Sequence, residues 1–160
     1  MEESACYIET GIRTAKAGSR NFLLVRGLTV AACCGSVIAL AWWLTPDSTG
    51  AGTHRQLGLP VCSFLVRTGY PCPTCGMTTS VSAMTHGKFV LAFRSHPFGV
   101  VLFAGLVVLT ATATYEALTG KNALSRLGKP AWWVWTFIIG IPAGWVLKLI
   151  WGIASGALPV

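Results

Sequence analysis

The sequence predicts an all-α membrane protein: three transmembrane helices, with a short interfacial helix after a CxxC knuckle in the first long loop. Three observations carry this prediction. Hydrophobic residues make up 53% of the 160-residue chain and charged residues only 11%, less than half the charged share usual in a soluble domain. Apolar runs at about 22–44, 97–118 and 131–151 each approach the ~20 residues that cross a bilayer as a helix. Between the first two lies a long polar stretch, 45–96, holding three of the six cysteines.

Residues 1–21 carry Glu2, Glu3, Glu9, Arg13, Lys16 and Arg20 with too few apolar residues for a core, so a mobile cytoplasmic tail is expected there. The remainder, 22–160, reads as a single membrane domain. Its first run is broken only by Arg26 and ends in Trp42 and Trp43, which suit an interfacial belt. That run exceeds the ~7–15 apolar residues of a signal peptide and shows no small-x-small cleavage pattern, so an uncleaved span is expected.

Residues 46–52 have turn chemistry. Between Lys88 and Arg94, the residues Phe89, Val90, Leu91 and Phe93 suit a segment lying at the membrane surface. Pro97 then opens the second run and Gly120 suits its end. The third run has Trp132, Trp133 and Trp135 at its entry and Trp151 at its exit. Within it, Pro142 sits between Gly140 and Gly144, a spacing that permits close helix approach. Two charges fall inside runs. Glu116 is expected to pair with Lys121 or Arg126, and Lys148 to snorkel to the interface.

The formal charge of +7 is spread among the apolar runs without a dense basic cluster. This layout speaks against nucleic acid and for anionic lipid headgroups as the partner. Arg13, Lys16, Arg20, Arg26, Lys121, Arg126 and Lys129 flank one side of the expected spans, and Arg55, Arg67, Lys88 and Arg94 the other. By the positive-inside rule the N-terminus is cytoplasmic and the cysteine loop lies outside a bacterial inner membrane.

The chemistry concentrates between Cys62 and Gly87. Pro71 and Pro73 fix their own φ angles and push Tyr70 and Cys72 toward extended backbone. After Cys75, the residues Met77, Val81 and Met84 form one helical stripe, with Thr78, Thr79, Ser82 and Thr85 on the other faces. A helix over about 76–86 is therefore expected, stopped by Gly87. Three uses of the knuckle fit. Cys62, Cys72 and Cys75 can form a disulfide that staples a turn in an oxidising compartment. Cys72 and Cys75, at a helix N-terminus, can be redox-active thiols. Alternatively, two knuckle thiolates with Cys62 and His54 can hold zinc. His86 does not fit that set, since eleven residues of helix at ~1.5 Å rise place it roughly 16 Å from the knuckle. Cys33 and Cys34, inside the first run, read as small hydrophobes, and Cys6 as a reduced thiol of the tail.

Asp47 is the single acidic residue of the loop, so paired-carboxylate catalysis has no second partner there. No nucleophile elbow or phosphate-binding loop is present, and an enzymatic role is not expected.

Cys62, the run Thr68-Gly69-Tyr70-Pro71-Cys72-Pro73-Thr74-Cys75-Gly76-Met77-Thr78, the segment Ala83 to Gly87, and Ser95-His96-Pro97 together resemble a small bacterial membrane-protein family, domain of unknown function 2752. The resemblance covers about residues 60–100 and implies the architecture and the place of the site without naming a reaction. Thr79 stands where that family often has Arg, and His96 where it often has Asn. From the sequence, the favoured role is an assembly or interaction protein that meets another membrane protein. Its binding surface would be the structural knuckle with Pro71, Pro73, Gly76, Met77, Thr78, His86 and Gly87. The alternative is thiol–disulfide or metal handling through Cys72 and Cys75.

Overall fold

The computed structural model describes residues 2–127 and 130–155, with side chains over 20–127 and 132–154. The Cys6 thiol and Lys129 lie outside the described residues. Among the described residues six α-helices follow in order: α1 (Glu2–Trp43), α2 (Ser63–Thr68), α3 (Met77–Thr85), α4 (Phe89–Ser95), α5 (Pro97–Thr119) and α6 (Pro130–Ser155). Short 3₁₀ helices stand at Thr53–Leu57 and Leu124–Leu127. Among the described residues there is no strand.

Three helical stretches among the described residues are long and apolar enough to cross a membrane: Arg20–Trp43, Pro97–Thr119 and Trp132–Ala154. They match the three expected spans within a few residues. Helical backbone runs back to Glu2, through the segment expected as a tail. The 3₁₀ turn at Thr53–Leu57 and helix α2 fall where only loop was expected. Both are brief, five and six residues, so neither announces itself by periodicity.

The chain divides into two compact units: Met1–Cys34 with Val108–Gly128, and Gly35–Val107 with Lys129–Val160. In the first, Gly27 lets α1 approach α5 closely. A Cβ at Gly27 would lie 2.8 Å from the Ala113 carbonyl oxygen. Glu116 is fully buried there, and its partner is Arg26 (2.7 Å), not Lys121 or Arg126. Its other carboxylate oxygen accepts the backbone N–H groups of Ala123 and Leu124, both at 2.9 Å. The carboxylate thus serves the chain emerging from α5, whose N–H groups have no helical partner.

In the second unit α3 is the central piece. Of the apolar stripe Val81 is buried, but so are Thr79, Ser80, Ser82 and Ala83. The hydroxyl face goes inward because it meets helix ends. Ser82 donates to the Leu44 carbonyl, just past the end of α1, and Ser80 to the His96 carbonyl at the end of α4. The last carbonyls of a helix lack intrahelical donors, and short hydroxyl side chains supply them here. On α6, Gly144 makes room for α5: a Cβ there would stand 2.8 Å from the His96 ring and 3.0 Å from Phe98 Cβ. Phe98 also meets Phe137 edge-on, with centroids 5.6 Å apart. The small residues four apart are therefore used for close helix packing.

Candidate functional site

The knuckle at 71–76 is held by a complete set of carbonyl partners. Pro71 and Pro73 have no N–H, so most of the order must come from acceptors. Backbone N–H groups take one alternate set: Cys75 to the Cys72 carbonyl, Met77 to that of Thr74, and Ser80 to that of Gly76, at 3.0, 3.1 and 2.8 Å. Side chains take the other. Trp145 Nε1 donates to the Pro71 carbonyl (2.7 Å), His96 Nε2 to that of Pro73 (2.9 Å), and Lys148 Nζ to that of Cys75 (3.1 Å).

Those three donors were not assigned to the site from sequence. Lys148, expected to snorkel, is only 3% exposed and turns into the protein. His96 is fully buried. Because Nε2 donates to Pro73, the ring carries its proton there, and Nδ1 has no partner among the described residues. Burial, with the Lys148 charge, outweighs the Pro73 bond and holds the imidazole below the usual histidine range. A sequence signal existed for Trp145 and Lys148: they are three apart on α6 and so share a face.

Gly76 closes the knuckle with φ +88°, a left-handed turn that favours glycine. A Cβ would lie 2.5 Å from the Ser95 carbonyl and 2.6 Å from that of Gly50. Helix α3 then starts at Met77, one residue after the expected start, and His86 caps its end.

The geometry brings three thiols together. The ligand sulfurs of Cys62, Cys72 and Cys75 lie within 4.8 Å of one another. Cys62 arrives as the residue preceding α2, whose first turn it closes through its carbonyl. Gly69, with φ +73°, ends α2 and sends the chain back toward the knuckle. Cys72 and Cys75 are hydrogen-bonded free thiols with sulfurs 3.2 Å apart, whereas a disulfide joins its sulfurs at ~2.05 Å. The expected staple is absent among the described cysteines.

The two knuckle thiols differ in acidity. Partial burial opposes ionisation of Cys72, but hydrogen bonds to its sulfur from Thr74, Cys75 and Cys62 outweigh it and draw it down to about 7. Cys75 is buried, and burial together with the Cys72 bond pushes it up to about 12. Of the pair, Cys72 is therefore the thiol that ionises first, while Cys75 keeps its proton.

His54 lines the same cavity as the three thiols but is not one of the clustered ligands. His86 is exposed and bonds Ser82 and Thr85 of its own helix, away from the thiols. Met77 and Thr78 line the cavity, while Gly87 is exposed at the end of α3. Pro71 is fully buried.

Residues 62–110 match the family model described as "Protein of unknown function (DUF2752)". That span contains the three clustered cysteines, α3, α4 and the first part of α5. No curated protein and no solved structure matches the chain significantly.

Proposed function

We propose that this protein handles a thiophilic metal ion, zinc foremost, on Cys62, Cys72 and Cys75 at the surface of a membrane. The observation that carries the reading is the convergence of the three sulfurs within 4.8 Å. A tetrahedral zinc with ~2.3 Å bonds to sulfur has ligand edges of roughly 3.8 Å, so small rotations bring these sulfurs into register. The lowered Cys72 thiol supports the reading, since the thiolate is the metal ligand.

A purely structural role for the cysteines, favoured by the sequence, is less well supported. Trp145, His96, Lys148 and the Gly76 turn already hold the knuckle. The thiols are thereby left available for chemistry. With His54 outside the cluster, three protein ligands leave a fourth position for a ligand from elsewhere, as in zinc sites that bind exchangeable groups.

The setting follows the charge bias: seven basic residues on one side against four on the other support a cytoplasmic N-terminus in a bacterial inner membrane, with the thiols outside. Cobalt titration of purified, reduced protein tests the metal reading. Saturation at one ion per chain with strong thiolate-to-cobalt absorption is expected. A spectrum of hydrated cobalt alone would sink it. A Cys72–Cys75 couple that glutathione buffers titrate reversibly, without metal uptake, would favour redox exchange instead.

A further inference from the structure

We propose that a cleft between the 48–50 turn and α4 binds the headgroup of an anionic phospholipid, whose chains lie in two adjoining apolar grooves. The cleft measures about 590 Å³ and is lined by Ser48, Thr49, Lys88 and Arg94 among others, a volume within the range of small-molecule sites. Arg94 joins the three spaces. It lines the cleft and both grooves, one walled by Pro97 and Ala154, the other by Phe89 and Val100. Trp151 lines both grooves and carries the Arg94 guanidinium over its ring, 5.1 Å from the centroid.

Position along the spans decides which part of a lipid meets each wall. Pro97 and Val100 stand in the first turn of α5, and Trp151 and Ala154 in the last turns of α6. Both helices belong to stretches apolar enough to span a membrane, so the grooves begin where hydrocarbon gives way to headgroups. A tryptophan there occupies the usual interfacial place. Phe89, Val90 and Phe93 of α4 line these grooves and are exposed. A short helix with an apolar outer face, set between Lys88 and Arg94, lies within that interface. The grooves therefore meet acyl chains, and the cleft meets headgroups.

Charge selects the headgroup. Lys88 and Arg94 are exposed, and among the described residues neither has a carboxylate partner. Asp47, the acidic side chain beside the turn, directs Oδ1 to the Thr49 N–H and does not line the cleft. Glu116 is taken by Arg26. Two cations without a protein anion attract a lipid phosphate and repel the ammonium of a zwitterionic headgroup. A phosphate that carries its charge alone, with a neutral polyol beyond it, fits the cleft best.

The test is native mass spectrometry of the full chain in mild detergent, titrated with phosphatidylglycerol or with phosphatidylcholine of identical chains. Wild-type protein is expected to retain phosphatidylglycerol in preference, one lipid per chain. Arg94→Gln and Lys88→Gln are each expected to lower that retention about fivefold, the equivalent of ~1 kcal/mol per basic side chain near an anionic lipid, while both variants keep the wild-type elution profile. Arg67, an exposed cation of α2 outside the cleft, is the control, and Arg67→Gln is expected to leave retention unchanged. The proposal is overturned if both lipids are retained alike, if neither cleft variant lowers retention, or if Arg67→Gln acts as strongly as they do. It is also overturned if inorganic phosphate displaces the lipid where chloride of equal ionic strength does not, which would assign the cleft to a free phosphate. The site stands apart from the metal reading, since Cys75→Ser is expected to lose the ion and keep the lipid.

Discussion

At Gly76 the backbone holds φ at +88°, and the space a side chain would need is taken by two carbonyl oxygens and the Lys148 ammonium. A side chain there meets both left-handed strain, about 1–2 kcal/mol, and backbone atoms that cannot move aside. Gly76→Ala is therefore expected to destabilise by more than about 2 kcal/mol, measured as a lower thermal midpoint in detergent, with weaker metal uptake. Retention of the wild-type midpoint would contradict the geometry. Gly76, Cys72 and Cys75 were legible in the sequence because the motif is local and its chemistry lies in adjacent residues. Lys148 and His96 were not, because a lysine near the end of an apolar run has two physical outcomes. It can reach water, or it can find a buried acceptor, and only the Cys75 carbonyl at 3.1 Å decides between them.

The elements divide along the same line. The three long helices were legible from composition alone, since a run of ~20 apolar residues has few other solutions. Helix α3 was legible in extent but not in orientation: its Met77–Val81–Met84 stripe pointed one way, while the carbonyls of Leu44 and His96 drew Ser82 and Ser80 inward. Helix α2 gave no signal, so the arrival of Cys62 at the knuckle was an open choice until the turn at Gly69 was seen. The hold of α6 on the knuckle can be measured through Trp145. Trp145→Phe keeps an aromatic ring, though a smaller one, and leaves the buried Pro71 carbonyl without its indole donor, at an expected cost of about 1–3 kcal/mol. Faster loss of bound metal to a chelator should accompany it. An unchanged dissociation rate would show that the clamp does not shape the thiol site.

For the molecule as a whole, His96 ties stability to pH. Its folded pKa is depressed, so the unfolded chain takes up the proton first. Stability is then full above the ordinary histidine value of about 6.5 and falls as pH drops through it. His96→Asn is expected to flatten that acid limb in thermal unfolding between pH 7 and 5, and an unaltered limb would assign it to another group. A second anchor is remote from the thiols in sequence: Arg26 and Glu116 join α1 to α5 within the other unit, with the Asn122 side chain accepting from Arg26 at 2.9 Å. Three cysteines that the sequence spreads over fourteen positions converge on one point, and the proposed occupant is a single ion. That reading is tested most directly by the metal content of purified protein and of the single variants Cys62→Ser, Cys72→Ser and Cys75→Ser. Near-stoichiometric zinc in the parent and its loss in all three variants is the predicted result. A parent without metal, or a Cys62→Ser variant that keeps it, would contradict the account.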